Sequence, residues 1–162
     1  MSRLDSVIRR LQAQRACLEW AAELIAPLPG VILEIGLGKG RTFDHLRQIL
    51  PGREIFVFER KVASGAEATP DNGHLVLGEL CDTLPAMASR FANAAALIHS
   101  DIGSGDARIT EPLAGFLAKQ LPRLIGRGGV LVSDQELSPH GLTRLPPPEG
   151  VASARYYMYR AP

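Results

Sequence analysis

Apolar residues in the first 26 positions recur at helical spacing, as Leu4, Val7, Ile8, Leu11, Leu18, Ala21, Ala22 and Ile25 with Arg and Gln between them. The pattern predicts an amphipathic helix over residues 2–26. Ser2 and Asp5 have the form of a capping box at its start, and Pro27, Pro29 and Gly30 end it. From there the pattern changes to short apolar runs of the kind that form strands buried on both faces: 31–35 (VILEI), 54–58 (EIFVF), 74–77 (HLVL), 95–100 (AALIHS) and 130–133. Between them, 42–50, 83–91 and 111–125 read as helices, the last bent at Pro122. Strand and helix alternate with short connections, which predicts an α/β three-layer sandwich with a mostly parallel, doubly wound sheet.

The last thirty residues break this rhythm. Pro139, Gly141, Pro146, Pro147, Pro148 and Gly150 make an irregular segment, and 154–160 (ARYYMYR) is aromatic enough for a final strand, expected antiparallel at or near an edge. A chain of 162 residues and 17.5 kDa, 46% hydrophobic and 22% charged, suits one domain. Within residues 1–162 we expect an N-terminal helix (1–26), a ligand-binding core (31–134) and the final strand (154–160). A formal charge of +1 gives no field to hold a nucleic-acid backbone, so composition disfavours a nucleic-acid partner. Cys17 and Cys81 form neither a disulfide framework nor a metal cluster, which points to a reducing, cytoplasmic setting. No run is long and apolar enough to cross a membrane.

The sharpest chemical feature is LEIGLGKG, residues 33–40, a buried strand that runs straight into Gly36, Gly38 and Gly40 and then a helix. Such a turn lets a ligand approach the main chain, with helix amides beyond it. A dinucleotide fingerprint GxGxxG fails because Arg41 stands where the third Gly belongs. A nucleoside-triphosphate loop fails at both ends, at Leu33 and at Gly40.

Glu34 followed by the three glycines after a buried strand resembles motif I of class I S-adenosylmethionine-dependent methyltransferases. The resemblance implies that the glycine loop passes under the methionine part of S-adenosyl-L-methionine. It also implies an acid at the end of the second strand for both ribose hydroxyls, and Glu59 stands there, 19 residues beyond Gly40. A carboxylate suits that task because it accepts two hydroxyl hydrogen bonds at once. By the same resemblance Gly78, Glu79 and Leu80 border the adenine, and Ser100 and Asp101 border the methionine and the reaction site. The residue after the ribose acid, apolar in the family, is Arg60 here, able to stack on adenine as a cation. The segment after Asp134 is too short for the family's final helix and full strand pair, so the C-terminal end is expected to be truncated.

Methyl transfer asks mainly for alignment and exclusion of water. Where the acceptor holds a proton, Asp101, His99 and His140 are the candidates for a base, since strand ends and the loops beyond them face the ligand crevice. Strand alternation puts His99 and Asp101 on the same side; the alternative for His99 is a hydrogen-bonded structural role. Asp101, Asp134 and Gln135 resemble the metal set of catechol O-methyltransferases, but a turn cap at Asp134 is the simpler reading, and no metal is expected. The function this implies is methyl transfer from S-adenosyl-L-methionine to a small-molecule acceptor, with a homodimer as a possible assembly. A non-catalytic module that binds the cofactor or its demethylated product is the alternative, and an NAD-dependent oxidoreductase a more distant one.

Overall fold

The computed structural model describes residues 2–162. Helix α1 (Arg3–Ile25) starts from the capping box, with the Asp5 N–H donating to Ser2 Oγ at 3.0 Å and the Ser2 N–H to the Asp5 carboxylate at 3.0 Å. The strands and helices that follow are β1 (Val31–Ile35), α2 (Arg41–Ile49), β2 (Ile55–Glu59), β3 (Leu75–Leu77), α3 (Leu80–Met87), β4 (Ala95–Ser100), α4 (Ala107–Gln120), β5 (Ile125–Ser133), β6 (Thr143–Leu145) and β7 (Tyr157–Arg160). They form one seven-stranded sheet in the order β3-β2-β1-β4-β5-β7-β6. Strands β1 to β5 run parallel, while β7 is antiparallel to both β5 and β6.

Alternate residues of the central strands feed two separate cores. Ile32, Val57, Leu97 and Val130 pack against Cys17, Leu18, Ala21 and Ile25 of α1 and Phe43 and Leu46 of α2. Leu33, Phe58, Ile98 and Leu131 pack on the opposite face against Leu84 of α3 and Leu117 of α4. A sheet covered on both faces explains why its strands are apolar runs rather than alternations. The order in which strands are added to the sheet reverses between the parallel neighbours β1 and β4, so a crevice opens at their C-terminal ends, where ligands bind in this architecture.

Several boundaries differ from expectation for local reasons. Helix α4 begins at Ala107 rather than 111 because Asp106 caps it, its side chain accepting the Arg108 N–H at 3.0 Å. Pro122 lies in a separate 3-10 turn (Leu121–Arg123) instead of bending the helix. Helix α3 covers 80–87 rather than 83–91. Strand β5 begins five residues before the expected Val130, its glycine run absorbed as a register shift against β4. The final strand is shorter than 154–160 and lies one place in from the edge, because the unforeseen β6 pairs outside it. The C-terminal strand pair is therefore complete, and the truncation falls on the helix, since residues 134–142 contain none.

Candidate cofactor and acceptor site

The end of β1 is pinned to β2 by the Gly36 N–H, which donates to the Phe58 carbonyl at 2.8 Å. Gly36 sits at φ +92, and a Cβ there would lie 2.7 Å from the Asp101 carbonyl oxygen. Only glycine allows both that conformation and that approach. Gly38, at φ +52, has nothing within 4 Å of where its Cβ would be, so the loop presents bare backbone to the crevice.

Glu59 ends β2 beside this loop. Its Oε2 accepts the N–H of Leu37 at 2.7 Å and of Gly38 at 3.1 Å, and its Oε1 accepts those of Arg60 at 2.7 Å and Lys61 at 3.1 Å. Burial alone would raise the pKa of this carboxyl, but the four backbone donors outweigh it and hold the pKa below the ordinary glutamate value. Glu59 is thus a fixed anion at the mouth of a crevice.

The crevice has two lobes that meet at Gly36, Gly38, Asp101, Gly103 and Ser104. The smaller lobe, about 300 Å³, is lined by Glu59, Arg60, Glu79 and Leu80 and by Ile102, Ile109 and Leu113. The larger, about 560 Å³, is bounded by Arg10, Leu11 and Gln14 of α1, by Lys39, Arg41 and Thr42, and by Asp134, Gln135 and Arg155. Bare glycine backbone, a carboxylate in the lining and several aliphatic side chains fit a nucleoside with vicinal hydroxyls.

Of the residues singled out from the sequence, Gly36, Gly38, Glu59, Arg60, Glu79, Leu80 and Asp101 line this crevice. Glu34, His99 and Ser100 do not, having no exposed surface at all. His99 is corrected from a catalytic base to a buried structural group: its Nδ1–H donates to Glu34 at 2.8 Å, and its Nε2 lies 3.1 Å from the Tyr156 hydroxyl. With both ring nitrogens engaged it has none for a substrate proton. Burial opposes its charge, but the adjoining Glu34 carboxylate prevails and raises its pKa. Glu34 Oε1 in turn accepts the Thr42 hydroxyl, so the acid of the glycine motif acts behind the loop rather than on a ligand. Gly40 is corrected likewise, because it starts α2 in the left-handed region and a Cβ would meet the Ala68 carbonyl oxygen at 2.3 Å. Gly78 lies outside the lining, its Cβ position 2.8 Å from Thr83 Cγ2.

Asp134 accepts the Ile102 N–H at 3.1 Å, the Gly103 N–H at 2.8 Å and the Gln135 amide at 2.8 Å, as a turn cap does. Burial and the neighbouring Asp101 push its pKa up. Reasoning on sequence missed Gln14 and Ile109. Gln14 alone carried a signal, as a polar residue on the apolar stripe of α1.

A family model described as S-adenosyl-L-methionine methyltransferase matches residues 1–161. The chain belongs to this family. A structure of an S-adenosyl-L-methionine methyl transferase from Silicibacter pomeroyi DSS-3 is 42% identical over 99% of both chains, with a TM-score of 0.93. The antibiotic-resistance methyltransferase Kmr (15% identity, 91% of this chain and 92% of that one, TM-score 0.54) shares the fold, as does cofactor-bound Rv0187 from MTB (17%, 97% and 89%, 0.53). No curated protein sequence matches the chain. The protein is accordingly an S-adenosyl-L-methionine-dependent methyltransferase and not an oxidoreductase.

Proposed function

We propose that this methyltransferase acts on a small-molecule acceptor held in the larger lobe. In this reading Glu59 takes the ribose hydroxyls, and Arg60, Glu79, Leu80 and Ile102 enclose the adenine. Gly36 and Gly38 pass under the methionine part, and Asp101 stands where cofactor and acceptor meet. Bound S-adenosyl-L-methionine supplies a methyl group already activated by its sulfonium. The chain's residues align the acceptor and keep water out.

The observation that carries the reading is the larger lobe itself, which is about the size of a small-ligand pocket and is walled on one side by α1. Its lining carries Arg10, Lys39, Arg41 and Arg155 against Asp101 and Asp134. That excess of cations favours an acceptor with a negative charge. An acceptor deprotonated at neutral pH needs no base, which agrees with the engagement of His99. Turnover can be followed as S-adenosylhomocysteine release across carboxylates and their neutral amide counterparts. Activity confined to neutral or macromolecular acceptors would overturn the assignment.

Two further features belong to the same proposal. Leu4, Val7 and Ile8 form an exposed apolar stripe on α1, 67%, 48% and 42% accessible, which supports a homodimer through that helix. A single-copy mass by light scattering at micromolar concentration would remove it. Free Cys17 and Cys81 support a reducing, cytoplasmic setting, and no described helix is long and apolar enough to cross a membrane.

A further inference from the structure

Gln14 occupies a position where α1 would pack better with an aliphatic side chain. Leu11, Leu18, Ala21 and Ile25 lie on the same stripe of the helix, and Gln14 itself is only 4% exposed. A buried amide is costly unless it is hydrogen-bonded. Its Nε2 donates to the Tyr156 hydroxyl at 2.7 Å and to Asp101 Oδ2 at 2.9 Å. The first partner is rigid, since Tyr156 is 1% exposed and lies 3.1 Å from His99 Nε2, whose ring is held in turn by Glu34. The second lines both lobes of the crevice. Arg10 also reaches Asp101 Oδ2, but at 3.5 Å and from a side chain 42% exposed, a contact too long and too solvated to fix the carboxylate. Oδ1 of Asp101 makes no hydrogen bond among the described residues and is left for a ligand.

We infer that Gln14 is a positioning residue for the cofactor site: anchored on the buried Tyr156 hydroxyl, its amide holds the Asp101 carboxylate at the junction of the two lobes. The inference rests on reading Asp101 as a cofactor contact. It gives α1 a task beyond covering the sheet, because the helix then completes the site from the far end of the sequence. It also accounts for the buried chain from Thr42 through Glu34, His99 and Tyr156 to Gln14, in which each member fixes the next.

A double-mutant cycle read by calorimetry with S-adenosylhomocysteine separates this role from simple packing. Gln14→Met keeps the volume and removes both hydrogen bonds. It is expected to weaken binding roughly 10- to 100-fold in the wild-type background, the range for a hydrogen bond to a charged group, and less than about twofold once Asp101 is alanine. Tyr156→Phe leaves the Gln14–Asp101 bond in place but removes the anchor, together with the hydroxyl beside His99 Nε2, and is expected to weaken binding severalfold, again only where Asp101 is present. It carries the cycle should Gln14→Met fail to fold. Unchanged affinity in both variants, or equal losses with and without Asp101, would overturn the role of Gln14. Absence of binding by the wild-type protein would instead overturn the reading of the crevice on which the inference rests.

Discussion

The Glu59 carboxylate accepts the Leu37 N–H at 2.7 Å, tying the end of one strand to the glycine loop that follows its neighbour. The same group is therefore both a structural staple and the proposed ribose contact, and substitutions separate the two. Glu59→Ala is expected to weaken S-adenosylhomocysteine binding by about 1.5 to 3 kcal/mol. Glu59→Gln turns an NH2 toward backbone donors on one side, so it should lose binding and loosen the loop together. The lowered pKa fixes the pH behaviour. The ionised form stabilises the loop fully above the unfolded carboxyl's pKa, and that contribution is lost only as pH falls through the lower folded value. Calorimetric affinity that collapses already near pH 5 would contradict this.

Gly36 and Gly38 look equivalent in the sequence, yet they differ in what surrounds them. Gly36→Ala puts a methyl 2.7 Å from the Asp101 carbonyl at φ +92 and is expected to destabilise the fold by about 2 to 5 kcal/mol. Gly38→Ala meets open space and costs about 1 to 2 kcal/mol of left-handed strain. It should fold and still bind cofactor weakly, because its methyl enters the crevice. Urea denaturation and calorimetry on the two variants check the contrast; equal stability loss would erase it.

His99 and Glu34 form an ion pair with no exposed surface on either side chain, 2.8 Å apart. Removing one partner leaves a buried charge, so Glu34→Ala or His99→Leu is expected to cost about 3 to 5 kcal/mol. Because the folded pKa of His99 is raised, its stabilising contribution is complete below the unfolded histidine value and is lost as pH rises through the folded one. Urea midpoints should therefore fall on the alkaline side in the wild type, and that part of the slope should vanish in His99→Leu.

Legibility in the sequence followed the range of the interaction. The 31–35 and 95–100 runs became β1 and β4 with the expected bounds, and the α1 limits were close, because apolar runs, caps and prolines act locally. Glu59 came instead from the resemblance to motif I, which implies an acid at the end of the second strand, and β2 does end on Glu59. His99 and Asp101 do share a side, as alternation required, since both join the Gln14–Tyr156 pair. That α1 closes over His99 was not legible, because the bond between Gln14 and Tyr156 spans 142 positions. The β6 strand was equally hidden: three residues with two exposed side chains carry no pattern until β7 pairs with them.

The two cysteines provide a chemical test of which lobe holds the nucleoside. Cys17 lies on the buried face of α1 with no exposed surface, and burial pushes its thiol up to about 11, so it is neutral and shielded at pH 8. Cys81 is exposed at the start of α3 and lines the smaller lobe beside Glu79 and Leu80. A thiol reagent should therefore label one cysteine quickly in the folded protein and the second only on unfolding. S-adenosylhomocysteine at saturating concentration is expected to slow the fast phase at least about tenfold, because a nucleoside in that lobe covers the sulfur. Protection without any effect of Glu59→Ala on it would place the ligand elsewhere, since the two residues border the same lobe. Full-speed labelling of Cys81 in the saturated protein would exclude the smaller lobe as the adenine site and move the nucleoside toward the arginines of the larger one.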